Sequence, residues 1–375
     1  MGKVFIARQS RYVQEEIDAA VKRVFDHFGG IEHFISKGER VLLKVNLVSG
    51  HSIERRVTTD PSIVRSVAEL VLSSGGIPFI ADSPGIDGFS RAAEKAGFMQ
   101  LARELGIECR ELTDPVDLPV RVSSDYKHIQ VSRQVIEADK VINLAKLKTH
   151  GQMYLTMGVK NLFGCIPGRL KAGWHYNVGL SRERFAGLLL DIYAGVNPCF
   201  TLLDGVIGMD GDGPTSGDPY EFGIIAGTED ALTMDFWLCR MLGASLEDYP
   251  LYLAARRRGM SQCELEPSDI AGEIPSDHVF PGVKLPQTQS MRLLPRIPFI
   301  ERLMTSRPVH IPELCIGCGR CASICAAKAL RHENKHLYFD YGKCIRCYCC
   351  HEMCPVKAIK FEESKLVKLV NYFTS

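Results

Sequence analysis

Nowhere in this 375-residue chain does an apolar run reach the roughly 20 residues that a helical bilayer span requires. The opening MGKVFIARQS lacks the basic-then-apolar order of a secretion signal and soon runs into the acidic stretch 15–18. Ile6 also breaks the myristoylation pattern that Gly2 would begin. These absences predict a cytoplasmic protein. An excess of one charge is missing too. Lys and Arg number 45 against 44 Asp and Glu, a net charge of +1, so neither nucleic acid nor a membrane surface is an expected partner. There is no P-loop, and glycines 211, 213 and 217 miss the G-x-G-x-x-G spacing of a dinucleotide fingerprint. The run Met209-Asp-Gly-Asp-Gly-Pro214 imitates the start of a calcium loop, with Glu221 at its twelfth position. Pro214 and Thr215 stand where that loop needs an acid or Asn and then Gly, which excludes it.

What is present begins with ordinary globular composition, 46% hydrophobic and 24% charged, over a length that suits two or three domains. Val41–Val48 reads as a buried strand. Asp60 and Pro61 then cap and open a helix whose apolar residues Ile63, Val64, Val67, Leu70 and Val71 recur at helical spacing until Gly75-Gly76. A strand at Ile77–Ala81, a helix at Arg91–Leu105 and a strand at Ile107–Leu112 continue the alternation, and Lys140–Ala145 and Cys199–Leu203 supply further strands. This rhythm predicts an α/β domain over 1–285, a mainly parallel sheet with flanking helices, whose ligands bind beyond the carboxyl ends of the strands. A Pro- and Arg-rich connector spans 286–306, and a tail follows at 363–375.

The densest chemistry lies between. Nine of the 14 cysteines fall between Cys315 and Cys354. They contain two runs, Cys315-x2-Cys318-x2-Cys321-x3-Cys325 and Cys344-x2-Cys347-x2-Cys350-x3-Cys354, each position repeating after 29 residues. Lys328-Ala329-Leu330 recurs as Lys357-Ala358-Ile359 at the same offset, so the segment is an internal duplication. Three thiolates from one tight loop suit three corners of an iron–sulfur cube, while the fourth, expected to start a short helix, reaches the other cube. Cys315, Cys318, Cys321 and Cys354 are therefore expected to hold one [4Fe–4S] cluster, and Cys344, Cys347, Cys350 and Cys325 the second. A pair of four-thiolate zinc sites is the alternative, but it requires neither the crossed ligand nor the duplication. Residues 307–362 thus read as a small α+β two-cluster ferredoxin-like domain. Ala326 replaces the usual proline after the first run, and Cys349 breaks the spacing and is taken as a non-ligand. From Arg307 to Lys360 there are nine Lys and Arg against four Asp and Glu, which offsets the negative charge of thiolate-ligated clusters.

On the α/β domain, Lys44 and Asn46 lie two apart on a buried strand. The stretch 143–161 sets Lys146, Lys148, His150, Lys160 and Asn161 among apolar residues, followed by Gly164, Gly168 and His175. Lysines at strand ends suit an anionic group as point charges. Asp204 and Asp210 belong to a Gly-rich loop region. The expected substrate-binding set is Lys44, Asn46, Lys146, Lys148, Lys160, Asn161, His175 and Asp204, with His150 or Asp210 as proton donor. Cys165 reads as a small buried hydrophobe.

The segments KVNLV (44–48), TTDP (58–61), ADSPG (81–85), AKLKTHGQMYLTMGVKNLFGCIPG (145–168) and DGVIGMDGDGPTSG (204–217) resemble the family called domain of unknown function 362. Its members often carry a C-terminal two-cluster ferredoxin module. The resemblance implies an iron–sulfur protein of a kind typical of anaerobes, with an α/β domain of unassigned reaction and a distant similarity to the lactate racemase fold. The combined expectation is a redox enzyme that takes electrons from a ferredoxin or flavoprotein and passes them through two clusters to a small anionic substrate or cofactor. A non-catalytic electron-transfer subunit or adaptor is one alternative. A non-redox α/β enzyme with structural clusters is the other.

Overall fold

The computed structural model describes residues 2–48, 50, 53–85, 88–119, 126–168, 170–274, 280–286, 306–333 and 335–362. The expected connector, apart from residues 286 and 306, and the tail lie outside the described residues. Among the described residues no helix is long and apolar enough to cross a membrane.

The large domain is built on one sheet. Across it run the strands Ile270–Gly272, Val4–Arg8, Ile224–Thr228, Phe200–Asp210, Lys140–His150, Arg40–Lys44, Ile77–Asp82 and Glu108–Glu111. Only Ile224–Thr228 runs against the others. Tyr154–Thr156 and Asp218–Tyr220 add short antiparallel pairings. The central strands are covered on both faces, which is why they read as nearly unbroken apolar runs. Val41 and Leu43 join the core under helices Gln14–His27 and Pro61–Ser73, while Leu42 joins the opposite core under Arg182–Val196 and Ala231–Met241. Asp60 accepts the Ser62 amide at 3.0 Å with Pro61 in the first turn, as its sequence position implies.

Two expectations change. The helix read at Arg91–Leu105 is two helices, Phe89–Lys95 and Phe98–Leu105, because Gly97 between them adopts φ +80°. The strands Lys140–His150 and Phe200–Asp210 are also longer than read, carrying polar residues past the point where the apolar runs stop.

In the small domain, helices Arg320–Ile324 and Cys349–Glu352 pack against each other between the hairpin Leu330–Phe339 and the strand pair Arg307–His310 and Ile359–Glu362. The duplication extends to the backbone. Left-handed residues fall at Gly317 and Arg346, Gly319 and Tyr348, and Lys328 and Lys357, each pair 29 apart. Cys325 and Cys354 follow their helices rather than starting new ones, a correction to the expected local structure.

Asp235, on helix Ala231–Met241, accepts the amides of Gly158 at 2.8 Å and Val159 at 3.0 Å, which orients the turn bearing Lys160 and Asn161. A Cβ at Gly158 would meet Ala231 at 3.0 Å and Thr201 at 3.1 Å, so the approach requires glycine. Burial pushes the Asp235 carboxyl from 3.8 up to about 7. Because this folded-state value is raised, its favourable contribution is lost as pH climbs from about 4 to about 7, on the order of 4 kcal/mol. Asp235→Asn cannot ionise, so its stability relative to the parent should rise across that interval, as anaerobic urea midpoints would record.

Candidate functional site

Beyond the carboxyl ends of the parallel strands lies a cleft of about 820 Å³. Asn46, Asp82 and Lys148 come to it from three strand ends. Lys160, Asn161, Phe163 and Gly164 come from the helical turn after Tyr154–Thr156, and Lys171 and His175 from helix Leu170–Val178. The small domain closes it with Ile324, Cys349, Glu352 and Met353.

The ten α/β residues expected at the site divide. Asn46, Lys148, Lys160, Asn161 and His175 line the cleft. Lys44 is paired with Asp82 at 2.9 Å, both buried, and is consumed by that bridge. Gly164 is required there, since a Cβ would press on both Lys44 Nζ and Asp82 Oδ1. Lys146 pairs with Asp204 at 2.7 Å and donates to Tyr12 Oη at 2.8 Å, forming a separate buried cluster that does not line the cleft. Asp210 accepts the Lys284 amide at 2.9 Å away from the cleft, which removes it as a proton donor there. His150 is removed as well. Its Nδ1 accepts the amides of Gln152 and Met153, each at 3.1 Å, so the ring proton sits on Nε2, 3.2 Å from Glu352 Oε1. Burial, reinforced by Lys160, lowers His150 to about 4 and keeps it neutral.

The remaining cations lack compensation. Lys148, fully buried, donates to Asn46 Oδ1 and Val57 O, both at 2.7 Å, and no described carboxylate lies within 4.0 Å. An ammonium has three donors, so one is left over. Lys160 Nζ has no hydrogen bond or ion pair among the described residues, although the Glu352 field reaches it. Burial lowers both lysines, and Lys160 lowers Lys148 further. Lys171, donating to Ser83 O, is lowered to about 8, chiefly by burial. The His175 ring, held against Phe163 and Phe185 at 5.5 and 4.8 Å, leaves Nδ1 without a partner, as does Thr156 Oγ1. Burial lowers His175 to about 4. Uncompensated buried donors are costly, and an anion with several acceptor atoms would satisfy them together.

Lys171, Asp82, Ser83, Thr156 and Glu352 were missed in sequence. Asp82 and Ser83 stood within a recognisable segment, ADSPG, but Glu352 gave no signal beyond its place among the cysteines.

Two further cavities, of about 310 and 380 Å³, lie in the small domain. The first is lined by Cys315, Cys318, Cys321 and Cys354, and the second by Cys325, Cys344, Cys347, Cys349 and Cys350. The fourth cysteine of each run thus faces the other run's cavity. The Ala329 amide donates to Cys325 Sγ at 3.2 Å, and the duplicated Ala358 amide to Cys354 Sγ at 3.1 Å. Such bonds suit metal-bound thiolates. Among the described residues no three His, Cys, Asp or Glu side chains converge as a single ion requires. The sulfurs ring cavities instead, a donor set that fits a cluster better than a zinc ion. Cys349 also lines the cleft and therefore separates the second cavity from it.

Fold and site define an iron–sulfur protein in which a mainly parallel α/β domain is closed by a ferredoxin-like module. Residues 314–364 match the family described as a 4Fe-4S dicluster domain. Residues 41–240 match the family described as domain of unknown function (DUF362), and the chain belongs to that family. It is 36% identical over 269 residues to the thylakoid-associated protein sll1697 of Synechocystis, covering 70% of this chain and 81% of that one. Two solved structures share 11% identity over 63% of this chain: a protein from Thermotoga maritima, TM-score 0.41, and the lactate racemase apoprotein from Thermoanaerobacterium thermosaccharolyticum, TM-score 0.42. The chain spans 60% and 56% of their lengths.

Crossed ligation has a spectroscopic consequence. Cys354→Ser and Cys318→Ser should alter the same EPR signal of the anaerobically reduced protein. Cys325→Ser and Cys347→Ser should alter the other, with the parent near eight irons per chain. Cys325→Ser grouping with Cys318→Ser would contradict the crossing.

Proposed function

We propose that this protein is an iron–sulfur oxidoreductase whose α/β cleft binds an electron acceptor through an anionic group. The observation that carries this reading is the pair Lys148 and Lys160, without carboxylate partners, in a cleft whose wall includes Cys349 of the second cysteine cavity. Cys315, Cys318, Cys321 and Cys354 would hold one [4Fe–4S] cluster, and Cys344, Cys347, Cys350 and Cys325 the other. When bound, these clusters supply one-electron transfer.

The chain's own residues do the rest. Lys148, Lys160 and Lys171 hold the anion as point charges, and the Asn46 amide, which donates to Asn161 Oδ1 at 2.9 Å and accepts from Lys148, keeps Lys148 aligned. Phe163, Met353 and Ile324 present apolar surface to the remainder of the ligand and keep water from it. His175, rather than His150, offers a ring nitrogen from which a proton can be exchanged with the bound molecule. The cytoplasmic location belongs to this proposal as well. An adaptor would not need unpaired donors gathered in a cleft.

Anion binding should restore charge to lysines whose ammonium form burial disfavours, so it should be accompanied by proton uptake. Titration calorimetry of phosphate and citrate near pH 8, in buffers of different ionisation enthalpy, measures this. Saturable binding with proton uptake is expected, weakened at least tenfold in both Lys148→Met and Lys160→Met. No saturable binding, or binding indifferent to both variants, would sink the proposal.

A further inference from the structure

The two cysteine loops are twins in sequence and backbone but not in surroundings. Ile316 and Ile345 occupy equivalent positions, yet Ile316 is 58% exposed while Ile345 is partly covered at the second cavity. Cys318 is exposed, whereas its twin Cys347 is half-buried; Cys321 and its twin Cys350 are both buried, and only the second run adds a buried cysteine, Cys349, that lines the cleft. Leu314, two residues before Ile316, is 46% exposed, so two large apolar side chains stand on the loop whose Cys318 meets solvent. Tyr338, 48% exposed, lies on the outer face of the adjoining hairpin, whose inner face lines the cavity through His332 and Leu337. Exposed apolar groups elsewhere, such as Val13, Leu72 and Ile136, come from separate elements of the α/β domain. A concentration of this kind marks a contact surface.

Its rim is basic. Arg320 and His332 line the cavity, and the Lys335 side chain lies 3.1 Å from where a Gly317 Cβ would stand. Arg331 lies over the Tyr338 ring at 5.7 Å. The acidic groups of this face are Glu313 and Glu333, the latter 3.6 Å from Arg331. The acids that the module does bury, Glu352 above all, are turned to the α/β domain instead.

We infer that this apolar loop with its basic rim, Leu314 and Ile316 beside Arg320 and Lys335 and flanked by Arg331 and Tyr338 on the outer face of the hairpin, is the docking surface for a small acidic electron-carrier protein. Charge complementarity selects the partner, since positive groups around a solvent-facing centre steer and orient an acidic surface. The inference deepens the proposed function by assigning one face of the module to the donor and leaving the opposite face to the cleft.

The test uses the cluster-loaded full chain and, as probe, an acidic [2Fe–2S] ferredoxin in its oxidised form, titrated by calorimetry at about 50 mM and about 500 mM salt. Saturable binding at low salt that weakens at least tenfold at high salt is expected. Arg331→Glu and Tyr338→Glu, both on the hairpin and away from the cysteine loop, should each weaken it at least fivefold with iron content unchanged. Lys37→Glu, on the α/β domain, should not alter it. Absent binding, or binding that ignores salt and both hairpin variants, overturns the inference. Phosphate and citrate binding in the cleft, measured on the same preparations, separates that failure from a failure of the proposed function.

Discussion

Glu352 is the point on which the two domains meet. It belongs to the ferredoxin-like module, yet its side-chain carboxylate faces His150 Nε2 at 3.2 Å, and its backbone carbonyl accepts Thr215 Oγ1 at 2.7 Å. Burial alone would raise this carboxyl. The His150, Lys160 and His175 environment outweighs that cost and holds it at about 2. A carboxylate that stays ionised in a shielded site is bound there by the field of its neighbours, and removing those neighbours would strand it. Lys357 strengthens the seam with a 3.3 Å bond to Gly217 O and a looser approach to Asp218. The polarity of the interface fixes which cysteine loop is turned inward, so the chemistry of the cleft and the exposure of the opposite loop follow from one contact between a carboxylate and a neutral imidazole.

The same contact sets the composition of the cleft. His150 looks in sequence like a free acid–base group, but the docked carboxylate occupies it. Lys160 feels that carboxylate without touching it and remains available to a second anion. Three lysines, Lys148, Lys160 and Lys171, line the cleft against one carboxylate not already paired with a lysine, Glu352, and none of the described residues supplies another acid within 4.0 Å of Lys148 or Lys160. An anionic ligand completes the electrostatics that the fold leaves unfinished.

Much of this was legible in order along the chain because it is local. The cysteine spacing, its 29-residue repeat and the Asp60-Pro61 helix start depend on residues within a few turns of each other, and the alternating apolar runs gave the parallel sheet. What sequence could not assign is which lysines are spent. Lys44 and Lys146 look like Lys148 in composition and context. Their carboxylates, Asp82 and Asp204, arrive from strands 38 and 58 residues away, and only strand order and register bring them into range. The Lys44–Asp82 pair joins neighbouring parallel strands at their carboxyl ends, while Lys148 stands opposite Thr156 and Met209, beyond the end of the pairing with Arg40–Lys44, and faces no acid in either register. Asp210 misled for the same reason, because a long strand carried it beyond the loop cluster where its Gly-rich neighbours seemed to put it.

The duplication gives the last step. Two loops with the same left-handed positions and the same amide-to-sulfur bonds would make two equivalent sites if the module stood alone. Docking against the α/β domain breaks that equivalence. It places Cys349 in the wall of the cleft and half-buries Cys347, and it leaves Cys318, the twin of Cys347, and Ile316 at the surface. Positive charge near the inner site favours the reduced state of a centre held there, while exclusion of water opposes it; at the outer site both influences are weaker. On the proposed reading the lysine charge prevails and the potential rises from the surface that meets a protein partner toward the cleft that meets an anion, the sense in which electrons move inward. A direction for electrons can therefore arise from a symmetric pair of loops and one buried carboxylate, without any difference in the ligands themselves.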